Sequence, residues 1–147
     1  MNLFGLFQVS GSALAAERLR AEVVTTNLAN AESTRTPEGG PYRRKVAVFE
    51  SRATTPFQML LAGGMSAGTQ ESAGVRVSQV LEDNSPAVRK YDPGHPDADA
   101  SGYVEYPDIN PVQEVVDLMG AQRAYELNAS AVAAAKQMIQ QSIQILK

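Results

Sequence analysis

Apolar residues recur at alternating spacings of three and four along the last quarter of the chain. Val115, Leu118, Gln122, Tyr125, Ala129, Val132, Lys136, Ile139, Ile143 and Leu146 trace the pattern, and eight of these ten are apolar. Such a heptad-type seam, sustained over about five heptads, predicts a helix over 112–147 with a partner helix against it. Asn110 and Pro111 mark its start. An Asn side chain caps free N–H groups, and Pro suits the first helical position, where no N–H is needed. Gln113 stands where a capping-box partner belongs. Glu114 and Asp117 fall early in the helix, where acidic groups favour its dipole. At 1.5 Å per residue the helix would run roughly 54 Å, long for a compact globule of this size, whose radius of gyration is roughly 15 Å.

A second seam, Phe7, Leu14, Ala21, Val24, Leu28 and Ala31, predicts a helix over 6–31. It ends ahead of Thr36-Pro37, because a residue before proline disfavours the helical region. Two seamed helices are natural partners for each other, and the plain alternative is an ordinary helix pair in a globular core. The other faces of the C-terminal helix are informative as well. From Leu127 to Leu146 the only charged residue is Lys136, and most of the rest is Ala, Gln, Ser, Asn and apolar side chains. An exposed helix face usually carries about 25–35% charge. This one suits contact with neighbouring helices on more than one side.

The middle is patterned differently. Pro37-Glu38-Gly39-Gly40-Pro41 is a turn. Tyr42–Glu50, Gly74–Glu82, Ala87–Tyr91 and Tyr103–Tyr106 read as short strands, with Val75, Val77, Gln79 and Leu81 on one side of the second. Four short strands make only a small antiparallel sheet, marginal alone. Residues 53–73 read as a long flexible loop. The expected fold class is α+β: terminal helices paired like a coiled coil (residues 1–34 and 110–147), with a β-rich middle region (35–109) between them.

Composition narrows the function. The chain has 147 residues, 44% hydrophobic and 20% charged, a size for one domain or one domain with an insert. The net charge of −3 offers no basic face for nucleic acid. With no cysteine, disulfides and cysteine zinc sites are excluded. No run of about 18 apolar residues predicts a membrane span. Ala13-Leu14-Ala15 imitates a signal cleavage site, but the first basic residue, Arg18, follows the apolar stretch instead of preceding it. Export, if it occurs, is expected by another route.

Candidate chemistry is sparse. Asp92, His95, Asp97 and Asp99 make the only cluster resembling a metal or acid–base site. Its two prolines and a glycine supply turn geometry directly, and its spacing fits no EF-hand loop, so the expected reading is a structural loop with no metal or cofactor. No serine sits in a nucleophile elbow, and no glycine pair belongs to a phosphate-binding motif, so no enzyme is expected. Charge is segregated. Seven acidic residues and no Lys or Arg lie between Asp92 and Asp117, whereas Arg43, Arg44 and Lys45 form a basic cluster. These are candidate contacts between subunits, Asp97 and Asp99 on the acidic side, with two solvated patches as the alternative.

Ser10-Gly11-Ser12-Ala13-Leu14, Arg18-Leu19 and Asn27-Leu28-Ala29-Asn30-Ala31 resemble the N-terminal signature of the flagellar rod and hook axial proteins. Gly74-Val75-Arg76-Val77, Tyr91-Asp92-Pro93-Gly94-His95-Pro96-Asp97-Ala98, Gly102-Tyr103-Val104 and the helix around Tyr125 resemble the proximal-rod branch of that family, as do Tyr42-Arg43-Arg44-Lys45 and Val48-Phe49. The resemblance spans nearly the whole chain except 53–73. It implies a subunit of the periplasm-spanning proximal rod, the drive shaft, exported without a cleaved signal peptide by the flagellar type III export apparatus. It implies a hetero-oligomeric helical assembly in which terminal helices form a tube around the export channel. Partners would be other proximal and distal rod proteins and the adaptor joining rod to membrane ring, with no nucleic acid and no membrane insertion. Within that picture the assembly interface is expected at Phe7, Leu14, Ala21, Val24, Leu28, Val115, Leu118, Gln122, Tyr125, Ala129, Val132, Ile139, Ile143 and Leu146. A distal-rod or hook-like component, a soluble coiled-coil adaptor and a metal enzyme built on His95 are the competing readings.

Reversing Arg43 and Arg44 to Glu is expected to weaken assembly at low salt; unchanged assembly in sedimentation would remove the charge-contact expectation.

Overall fold

The computed structural model describes residues 3–52 and 74–145. Helix α1 spans Leu3–Ala29, strands β1 and β2 span Lys45–Ser51 and Val75–Glu82, strands β3 and β4 span Val88–Tyr91 and Tyr103–Tyr106, and helix α2 spans Pro111–Ile145. The fold is α+β, with two long helices and a small antiparallel β insert between them. The expected loop at 53–73 lies outside the described residues. At 1.5 Å per residue α1 is about 40 Å long and α2 about 52 Å.

The helices pack side by side and antiparallel: Asn27 near the end of α1 meets Glu114 at the start of α2, and Arg20 lies 3.9 Å from Asp117. As expected, Asn110 caps α2, its Oδ1 accepting from the N–H groups of Val112 at 3.0 Å and Gln113 at 3.4 Å. Past Ala29, α1 runs out through turns at Asn30–Ser33, the place expected ahead of Pro37. Gly39 and Gly40, with φ of 91° and 76°, then reverse the chain into β1, a conformation other residues rarely adopt.

The buried apolar side chains are small. Among the described residues they are Ala16, Val24, Val104, Ala121 and Ala135. Alanine at a helix contact removes bulk and lets two helices approach toward the short end of the usual 8–10 Å. Little apolar volume is therefore enclosed, and the largest fully buried side chains are Glu114, Val104 and Asn27.

The four strands make two separate hairpin pairs instead of one sheet. β1 pairs with β2 from Lys45↔Glu82 to Ser51↔Val75, with an irregularity between Val48 and Phe49 where Ser78 is skipped. This bulge re-aims the second half of the ladder. β3 pairs with β4 from Val88↔Tyr106 to Tyr91↔Tyr103.

The β1–β2 pair lies along α1 and is fastened to it at both ends. At one end Ser12 Oγ accepts from the Val75 N–H at 3.0 Å and donates to the Val9 carbonyl at 2.7 Å. At the other, the Asn27 carboxamide takes both backbone groups of Lys45, its N–H and its C=O, each at 2.8 Å. Fifteen residues of helix cover about 22 Å, and six residues of strand about 20 Å, so the two spans match. Gly74 permits the first fastening: a Cβ there would lie 2.2 Å from Ser12 Oγ and 2.9 Å from Ser12 Cβ.

Asn27, fully buried, has all four hydrogen-bonding valences filled. Beyond the two bonds to Lys45, its Oδ1 accepts from Tyr42 Oη at 3.1 Å and its Nδ2 donates to Glu114 Oε2 at 3.2 Å. The other carboxylate oxygen of Glu114 accepts from Arg44 Nε at 2.6 Å. Burial, with the Glu82 and Glu114 charges nearby, pushes the Tyr42 phenol up, so it stays protonated as a donor.

The 92–102 loop between β3 and β4 is a chain of turns. His95 N–H donates to the Asp92 carbonyl, Ala98 N–H to that of His95, and Gly102 N–H to that of Asp99. It docks on the segment after α1, where Thr34 Oγ1 donates to Asp97 Oδ2 at 2.8 Å. Gly102, at φ 79°, lies against the Tyr91 ring.

Replacing Gly74 by Ala is expected to dislodge Ser12 and destabilise the chain by about 1–3 kcal/mol. Ser12→Ala alone should cost about 1 kcal/mol, and Ser12→Gly should recover part of the Gly74→Ala loss. Urea denaturation of the three variants measures this; an unperturbed Gly74→Ala would show that the close approach is not required.

Candidate assembly surface

The structure divides the long α2 seam in two. Leu118, Val132 and Ile139 are half-buried. Val115, Gln122, Tyr125, Ala129 and Ile143 stand open, with Tyr125 43% and Ile143 55% exposed. Leu146 lies outside the described residues. The fully enclosed α2 positions are Glu114, Ala121 and Ala135, each one residue ahead of a seam position. One residue is a rotation of about 100°. The cause is local. Glu114 is held by Asn27 and Arg44, which fixes the azimuth of α2, and alanine at 121 and 135 allows close packing along that line.

On α1 the expected seam falls inward. Val24 is buried, and Phe7, Leu14, Ala21 and Leu28 are half-buried.

A further open stripe escaped the seam pattern. Val112, Val116 and Met119, at spacings of four and three, are 73%, 55% and 63% exposed. They begin α2 on a face apart from Glu114 and Ala121. Leu127, Met138 and Ile145 are also open further along. The low charge from Leu127 to Leu146 was the signal for these last three positions. Apolar side chains thus occupy more of the circumference of α2 than α1 covers, and patches of this kind mark contact surfaces.

The charged candidates are engaged within the chain. Arg44 pairs with Glu114 and, at 3.5 Å, with Asp117. Lys45 lies 3.8 Å from Glu82, and Arg43 donates to Asn84 at 2.9 Å. The acidic run and the basic cluster therefore meet inside one subunit, and reversal of Arg44 strikes the helix junction as well as any outer contact. Asp97 faces Thr34 and Arg35. Asp99 accepts from the Ser101 and Tyr103 N–H groups and pairs with Arg89. The Tyr103 N–H chiefly, with Ser101 and Arg89, holds the Asp99 carboxyl below its usual range. His95 Nδ1 accepts from the Asp97 N–H at 3.1 Å, and its ring meets Tyr106 edge-on. These groups face different partners and converge on no common point.

Asn27 and Glu114 are among the buried residues that pattern reading missed. Asn27 stood within the N-terminal signature, and Glu114 read as a dipole partner at a solvated helix start. No helix among the described residues is long and apolar enough to cross a membrane.

Residues 100–145, which hold β4 and α2, match a family model described as the flagellar basal body rod FlgEFG protein C-terminal region. Three relatives carry the name flagellar basal-body rod protein FlgC. That of Borreliella burgdorferi is 40% identical over 100% of this chain and 99% of its own length. That of Bacillus subtilis is 41% identical over the whole of both chains, and that of Salmonella typhimurium 40% over 95% of this chain and 94% of its own. With this identity sustained from helix to helix through the β insert, the chain belongs to the FlgC family of flagellar basal-body rod proteins, structural subunits of the rod.

Proposed function

We propose that this subunit builds the proximal part of the rod, with α1 and α2 packed among the helices of neighbouring rod subunits in a tube around the export channel. In this reading residues 1–34 and 110–147 form the axial core, and the 35–109 insert stands outside it. The tube transmits torque across the periplasm, and the part each subunit has in it is mechanical, with no catalysis. Its neighbours are other proximal and distal rod proteins and the adaptor that joins the rod to the membrane ring. The subunit reaches its place through the flagellar type III export apparatus, without a cleaved signal.

One observation carries the proposal: α2 keeps Val115, Tyr125 and Ile143 of the seam exposed, and Val112, Val116 and Met119 as well, while its enclosed residues are Glu114, Ala121 and Ala135. Each fully buried large apolar side chain contributes about 1.5–3 kcal/mol. An isolated subunit forgoes much of that, and its small interior leaves the helix pair with little to offset chain ordering. Helices of this kind take most of their stability from tertiary contact, which suits a chain that travels unfolded and orders on docking.

Tyr125→Asp and Ile143→Asp are expected to leave the stability of the isolated subunit within about 0.5 kcal/mol, as at other exposed positions, and to abolish incorporation into basal bodies and motility. Normal incorporation of both variants would refute the open seam as an interface. In dilute solution the amides of residues 136–145, past the last enclosed position of α2, are expected to exchange faster than those of 114–121; equal protection would show a helix pair self-sufficient to its end.

A further inference from the structure

The contact between α1 and α2 has a weak sense of position. Along the line of α2 that carries its enclosed residues, heptad spacing places Glu114, Ala121, Asn128 and Ala135. Sliding α2 by one heptad sets Ala121 level with Asn27. Further along, such a slip largely replaces small side chains by other small ones, so apolar packing discriminates poorly between registers.

Glu114 is the exception. It is 1% exposed, its Oε2 accepts from Asn27 Nδ2, and its Oε1 accepts from Arg44 Nε. Asn27 is held in turn by Tyr42 and by both backbone groups of Lys45. A slip of one heptad carries the carboxylate away from Asn27 and Arg44 together. It is then either an unpaired buried charge or exposed only by opening the helices. Its two hydrogen-bond partners sit on α1 and on the segment leading into β1, so only a chain with its own insert docked presents both. Replacing buried polar groups by apolar ones is often neutral for stability, and their best-attested use is in selecting register and partner.

We propose that the Asn27–Glu114–Arg44 junction selects the register of the helix pair, an inference that does not depend on the rod reading above.

The test uses the full chain in dilute solution, so its outcome is independent of whether the chain enters a rod. Nitroxide labels at the exposed positions Thr25 and Met119 report the pairing by electron–electron distance measurement. The unaltered junction is expected to give one narrow distance. Glu114→Leu leaves Arg44 with Asp117 and Asn27 with Lys45 and Tyr42, and is expected to keep its helical content. Its distances should broaden to include pairings displaced along the axis by about 10 Å, one heptad of rise. Glu114→Gln, which keeps an oxygen acceptor at the junction, should retain the single distance. The proposal is overturned if Glu114→Leu keeps one narrow distance. It is overturned equally if that variant loses its helices, which would make the junction a stability element, or if Glu114→Gln broadens as far as Glu114→Leu.

Discussion

The side-chain amide of Asn27 has four hydrogen-bonding valences, and three separate parts of the chain fill them. The backbone of Lys45 takes two, the Tyr42 hydroxyl a third and Glu114 the fourth. Through this one group α1 is joined to β1 and to α2. A buried amide left with empty valences would be costly, so the junction is satisfied as a whole or not at all. The azimuth of α2 follows from it, since Glu114 has to point inward. Which residues of α2 remain open to neighbours follows from the azimuth. The outer surface of the subunit is thus set by a polar contact at its centre.

This arrangement explains why a chain with 44% hydrophobic residues encloses so little apolar bulk. The enclosed positions are mostly alanine, and valine, methionine, tyrosine and isoleucine stand outward. In a protein that functions alone this would be an aggregation liability. On the reading proposed above it divides the work: polar groups and small residues define the subunit, and larger apolar groups are left for neighbours.

Much of the fold was legible in the residues. The two helices, the cap at Asn110, the exit of α1 before Pro37 and the four strands all come from local chemistry, and local chemistry acts within a few residues. What was not legible depends on partners far apart in the chain. The heptad pattern of α2 is one residue out of phase with its buried line because a carboxylate, which pattern reading assigns to solvent, occupies an enclosed site at the start of that line. Its partners lie 87 and 70 positions away. The division of the strands into two pairs was hidden for the same reason. Strand pairing is settled by what each hairpin packs against, here α1 for the first and the segment around Thr34 for the second. The exposed apolar surface of α2 was half visible: spacing marked Tyr125 and Ile143, whereas Val112, Val116 and Met119 needed the position of α1 to show that they face away from it.

The fastening of the first hairpin to α1 has a mechanical consequence. Two helices lying side by side form a flat ribbon, which flexes easily out of its own plane. A third member riveted to one of them at Ser12 and Asn27 gives the bundle depth in the soft direction. Bending or winding α1 would then require the hairpin to stretch or its rivets to shear. The β insert thus works as a rib, stiffening the helix pair along the length it spans.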